Sequence, residues 1–138
     1  MRSVMLPSTA FHYGDTTMPA VKIVAEWLKE ENDPRMESTL EFVAAIDFNG
    51  HIKPEQKVYG LITGYDYGSL PPGDYPFTGE KSEQGCLKMD WGRDYQKFNS
   101  TINVLGRRLS PGDIITHVEK PGIENTFDYE IRLVTYFQ

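Results

Sequence analysis

Cysteine is almost missing from this chain: Cys86 stands alone among 138 residues. No disulfide can form within the chain, and a structural zinc site built on several thiolates is excluded. Positive charge is also in deficit, since 14 Lys and Arg face 20 Asp and Glu for a net charge of −6. That balance argues against nucleic-acid binding through a basic surface and against adhesion to an anionic membrane; its simplest consequence is solubility. Long apolar runs are absent. No segment approaches the length of a membrane-spanning helix, and residues 1–11 carry no apolar stretch of signal-peptide size. Cytoplasmic residence is therefore the default expectation.

Complete catalytic signatures are missing too. There is no Gly-x-Ser-x-Gly, no glycine loop opening a helix, and no loop of alternating oxygen ligands for calcium. Cys86, followed by Leu87 and Lys88, reads as a small half-buried residue more than as a reactive thiol. The three histidines, His12, His51 and His117, are too scattered to spell a metal site. No cofactor and no metal are expected on these grounds.

What the chain does have is turn residues and rings. It contains 12 Gly and 9 Pro, aromatics reach 12%, apolar residues 39% and charged residues 25%. This describes one folded domain with enough chain to bury a core. The phrase Leu-x-Pro-Gly-Asp occurs twice, as Leu70-Pro71-Pro72-Gly73-Asp74 and as Leu109-Ser110-Pro111-Gly112-Asp113. Proline suits the second place of a turn and glycine the third, where a type II turn needs positive φ. A third pair, Pro121-Gly122, closes the segment that the second phrase opens.

Between these bends the residues alternate with period two, the mark of strands with one buried face. From Phe127 the inward set reads Phe127, Tyr129, Ile131, Leu133, Thr135 and Phe137. In residues 38–48 it reads Leu40, Phe42, Ala44, Ile46 and Phe48. Asn49-Gly50 then predicts a type I′ hairpin, with His51 exposed just after it. Residues 58–67 form a glycine-containing strand that puts Tyr59, Leu61, Thr63, Tyr65 and Tyr67 on one side. A short strand is expected at 75–78 and further strands at 101–109 and 114–119. Residues 86–98, with Trp91 and Tyr95, fit either a helical turn or an irregular edge; Trp91 is assigned to an edge and Trp27 to the core. Residues 21–29 read as a strand with Val21, Ile23, Ala25 and Trp27 inward; a short helix is the other option. Residues 1–19 read as an arm ordered at Phe11-His12-Tyr13, and residues 20–138 as the domain. The expected fold is all-β, a single antiparallel meander of about seven or eight strands closed into a small barrel. A sandwich hiding an edge by dimerising is the alternative.

Two groups of residues are candidates for chemistry. Asp113, His117 and Glu119 fall on one side of one strand if it is regular, and a carboxylate beside a histidine is raw material for acid–base catalysis. The same pattern is also that of a plain solvated face. Tyr59, Tyr65 and Tyr67, with Tyr75 beyond the first Pro-Gly turn, offer flat rings with polar ends that grip a small polar molecule or a protein partner; the other possibility is that they line the interior. A binding or interaction module leads. Second comes a small cofactor-independent isomerase, cyclase or hydrolase using His117 with Asp113 or Glu119, in which Arg107 or Arg108 would hold an anionic substrate group. Third comes a self-assembling subunit, such as a homodimer, joined through a sheet edge or the arm. The two Pro-Gly-Asp bends frame a barrel mouth only if they fall at the same end.

Overall fold

The structure is a computed structural model that describes residues 11–13, 16–67, 70–82, 84–96, 99–120 and 125–137. Residues 1–10 of the expected arm and the Pro121-Gly122 pair lie outside them. Two short strands, β1 (Phe11–Tyr13) and β2 (Thr16–Met18), pair into a small sheet of their own. The rest are β3 (Ala20–Trp27), β4 (Thr39–Ala45), β5 (Val58–Tyr65), β6 (Gly73–Lys81), β7 (Leu87–Asp90), β8 (Asn99–Ile102), β9 (Ile114–Lys120) and β10 (Asn125–Phe137). Each pairs antiparallel with its neighbour in sequence, and β10 pairs with β3 to close an eight-stranded barrel. Closure leaves no open edge in the barrel, the usual liability of an all-β chain. Residues 21–27 resolve as strand, with Leu28 and Lys29 beyond its end: Val21, Ile23 and Ala25 are buried while Glu26 is exposed. The segment 86–98 supplies β7 and one 3-10 turn, Arg93–Tyr95.

Along each strand alternate side chains enter the barrel and fill it. Val21, Ile23, Ala44, Ile46, Val58, Leu87, Ile102, Val104 and Leu109 make one half almost wholly aliphatic. In the middle layer Gly60 sits between its cross-strand partners Phe42 and Phe77. A Cβ on Gly60 would lie 2.3 Å from the Phe77 ring, so the missing side chain is what lets that ring lie inward.

Two bulges reset the alternation, and each corrects a reading of the sequence. In β5 the register shifts between Ile62 and Tyr65, where Gly64 adopts φ 70. Before the shift Val58 and Ile62 point inward and Tyr59 is 50% exposed; after it Tyr65 is fully buried. Tyr59 therefore does not share a face with Tyr65 and Tyr67, which both turn inward, because an extra residue rotates the strand by one position. In β10 the shift falls between Ile131 and Leu133, so Leu133 turns outward and is 55% exposed. The connection after β4 differs as well. Gly50 has φ 80 but Asn49 does not have positive φ, and Gly50 N donates to Asp47 O. That is a three-residue loop with a glycine bulge, not a type I′ pair. Its tip presents Phe48, which is 97% exposed and not inward. His51 is half-buried, bridged to Arg108.

The two Pro-Gly-Asp phrases behave differently. At the second, Asp113 N donates to Ser110 O at 3.0 Å and Gly112 has φ 93, as a type II turn requires. The turn docks on β10, with Gly112 N donating to Ile131 O. At the first, Gly73 has φ 156 and already opens β6, paired with Tyr65. The phrase there leads into a strand. The first phrase lies where β5 gives way to β6, the second where the chain enters β9, and these are opposite ends of the barrel. They frame no common mouth.

Candidate functional site

The barrel end at which β3, β5, β7 and β9 finish collects the polar interior. Among the described residues, the buried polar side chains are Ser38, Ser100, His117 and Glu119. Ser38 precedes β4, Ser100 opens β8 opposite Glu119, and His117 and Glu119 lie late in β9. All four belong to this one end, and rings surround them. Tyr65 and Tyr67 centroids are 4.6 Å apart, Tyr67 and Phe127 4.0 Å, and Trp91 and His117 6.0 Å. Outside stand Trp27, which carries the Arg35 guanidinium 5.0 Å above its ring, and Tyr75, which packs against Tyr95 at 5.8 Å.

Period-two geometry brings His117 and Glu119 into the barrel together, as the sequence suggests. Tyr65 donates to Glu119 Oε2 at 2.5 Å, and Leu70 N donates to Tyr65 Oη at 3.1 Å. A second string of hydroxyls leads away from the imidazole. Tyr67 Oη lies 2.9 Å from His117 Nδ1 and 2.6 Å from Tyr129 Oη; Tyr129 Oη lies 2.8 Å from Ser38 Oγ, which donates to Thr63 O at 2.9 Å. His117 Nε2 has no hydrogen-bond partner although the residue is wholly buried.

Burial sets the protonation states. It drives the His117 imidazole down to about 3, so the ring is neutral at pH 7. The 3.9 Å approach of Nε2 to Glu119 Oε2 would be an ion pair only for a charged ring, and burial opposes that state. Burial likewise raises the Tyr67 phenol and pushes Tyr129 up to about 12, so both keep their protons and can donate.

The remaining candidates are placed elsewhere. Asp113 is not with His117: its carboxylate accepts from Ser110 N at 2.8 Å inside the type II turn, at the opposite end. Arg107 is also at that end, donating to the carbonyls of Asn103 and Ile114. Arg108 lies there over the Tyr136 ring at 5.5 Å. Tyr59 is on the outer wall. Tyr75 reaches the rim, where its hydroxyl donates to Pro71 O at 2.5 Å. Trp91, expected at an edge, is 7% exposed and donates from Nε1 to Ser100 Oγ at 3.1 Å. Sequence reasoning missed Ser38, Ser100 and the hydroxyl of Tyr129. Tyr129 is inward by alternation, but nothing local reveals that its hydroxyl meets a serine 91 positions away.

A groove of about 440 Å³ runs along the outer face of β6 and β7, from Glu80, Lys81 and Lys88 to Asp90, Trp91 and Tyr95, and its Trp91–Tyr95 end reaches this end of the barrel. Trp91 thus belongs both to the groove wall and to the surroundings of His117. Among the described residues no group of three or more His, Cys, Asp and Glu side chains comes together as a metal site.

Fold and site together define a closed up-and-down β-barrel with one aliphatic end and one aromatic end that encloses polar groups. The chain matches no protein-family model, no curated protein and no solved structure.

Proposed function

We propose that the protein binds a small polar molecule at the aromatic end, seated in the groove beside Trp91 and Tyr95. One observation carries this reading: the buried polar side chains of the described residues all lie at that end. Burying a polar group costs stability unless it is fully paired, at about 1–3 kcal/mol for each unmet group. A barrel of eight strands could be filled with aliphatic side chains throughout, as its other half is. Polar groups kept inside beside a concavity lined by rings fit a binding site. The groove carries both charge signs, with Lys81 and Lys88 beside Glu80 and Asp90, next to Met89 and the rings of Trp91 and Tyr95. That mixture suits a ligand with an apolar body and polar substituents.

Backbone amide shift mapping with a panel of small polar aromatics and monosaccharides tests the reading. Perturbations should centre on Met89, Trp91 and Tyr95 and vanish in Tyr95→Ala. Shifts centred on the opposite end, or none at millimolar concentration, would overturn it.

A second reading has its own support in the unfilled Nε2 of His117 beside a carboxylate: general-base chemistry on the bound molecule. It separates from simple binding by whether a bound probe exchanges a C–H proton in deuterium oxide or is recovered unchanged.

A further inference from the structure

The hydroxyl string beside His117 can be read proton by proton. Ser38 has one hydroxyl proton, and it goes to Thr63 O, an acceptor with nothing to donate. The contact between Ser38 and Tyr129 must therefore use the proton of Tyr129. With that proton spent, the contact between Tyr129 and Tyr67 must use the proton of Tyr67. Nothing is then left on Tyr67 to give to His117, so Nδ1 must carry the proton and donate to Tyr67 Oη. The chain ends on a backbone carbonyl, so it cannot deliver a proton to solvent. Its effect is to fix a tautomer, and in a neutral ring Nε2 is left as a bare lone pair.

That lone pair faces a second acceptor. Glu119 Oε2 is 3.9 Å from Nε2, and it already accepts the proton of Tyr65, whose own oxygen is engaged by Leu70 N. Two buried acceptors stand side by side, and Nε2 has no donor. An acceptor left so costs about 1–3 kcal/mol, which the fold recovers only when a donor reaches it.

We infer that His117 Nε2 and Glu119 Oε2 form a receptor for a hydrogen-bond-donating group, so that the buried end of the ligand is an N–H or O–H on an apolar body. This inference rests on binding at the aromatic end and names the chemistry of that ligand. Trp91 stands between groove and receptor: it lines the groove, lies 6.0 Å from the His117 ring, and is tethered at Nε1 to Ser100. The apolar body lies against Trp91 and Tyr95 at the aromatic end of the groove while the donor passes the edge of Trp91 to reach Nε2.

Two measurements on the whole chain test this. Long-range ¹H–¹⁵N correlation of the histidine rings at neutral pH should show His117 protonated at Nδ1 and bare at Nε2; a ring protonated at Nε2 overturns the receptor whether or not any ligand binds. The second measurement uses matched probes: benzyl alcohol against benzyl methyl ether, and benzylammonium against benzyltrimethylammonium. Donors should bind at least about tenfold more tightly than their methylated partners and move the Nε2 resonance, because a site built around the unmet Nε2 discriminates against a group that cannot donate to it. Glu119→Gln should weaken benzylammonium more than benzyl alcohol. Equal binding of both partners at the groove, with Nε2 unmoved, overturns the receptor and leaves binding at the aromatic end standing. Failure of every probe to bind overturns both.

Discussion

Val21, Ile23, Ala44, Ile46, Val58 and Leu87 fill one half of the barrel, while Tyr65, Tyr67, Tyr129, His117, Glu119 and Ser38 fill the other, and the same strands supply both. In the first half each residue needs only volume and shape, and burial stabilises it at about 25 cal/mol per Å². In the second each buried polar atom also needs a partner at the right angle, and that partner comes from another strand. The aliphatic half is thus tolerant of chemistry and intolerant of cavities. The aromatic half is the reverse: it accepts rings half open to water, as at Trp27 and Phe127, but depends on single hydroxyls.

Truncation in the tightly filled layer should give the largest effect. Phe42 is 1% exposed beside Gly60, so Phe42→Ala should cost about 3–5 kcal/mol in urea unfolding. A loss under about 1 kcal/mol would mean that this layer collapses around the gap and is not the rigid half. Next comes the bulge that turns Tyr65 inward. A Cβ on Gly64 would lie 2.1 Å from Glu37 O at a φ of 70. Gly64→Ala should therefore cost about 2–4 kcal/mol through strain and overpacking. It should also shift the resonances of Tyr65 and Glu119 more than those of Leu87. An equal shift at both ends would erase the distinction drawn between them.

Smaller again is Tyr67→Phe. It keeps the ring among Trp27, Tyr65 and Phe127 but removes the oxygen that joins His117 to Tyr129. Stability should fall by about 1–3 kcal/mol. More tellingly, the His117 ring should lose its fixed tautomer, visible as a mixture in the nitrogen spectrum. A ring still held in one tautomer would show that something other than the hydroxyl string orients it.

Much of the aliphatic half was legible in the residue order, because period two in β3, β4 and β9 reports directly on which side chains enter the barrel. The pairing of His117 with Glu119 was legible for the same reason, whereas Asp113 was not excluded by spacing alone; only the turn at Gly112, which consumes its carboxylate, separates it. Within strands, what failed were positions after a bulge. Tyr59 and Tyr65 are six apart and share a face in a regular strand, yet one extra residue near Gly64 puts them on opposite sides. Leu133 failed by the same mechanism in β10. The hydroxyl string was illegible for a different reason: it joins residues from the start of β4, the end of β5, β9 and β10, and no local signal encodes contacts across so many strands.

The pH dependence of folding tests the neutral imidazole that the aromatic end requires. In the unfolded chain His117 has an ordinary value near 6.5, and burial lowers it to about 3 in the fold. Above pH 6.5 the ring is neutral in both states and contributes no slope. Between about 3 and 6.5 the unfolded chain holds a proton that the folded chain refuses. Stability therefore falls with acidification there, by up to about 1.4 kcal/mol per pH unit from this group. Below about 3 both states bind the proton and the contribution levels off. His117→Leu removes this component, so the difference in urea stability between wild type and variant should slope across that window and be flat from pH 7 to 8. A flat difference throughout would mean that the buried ring takes up its proton as readily in the fold as out of it, paired with Glu119 as an imidazolium, and the two ends would then differ in net charge and not only in polarity.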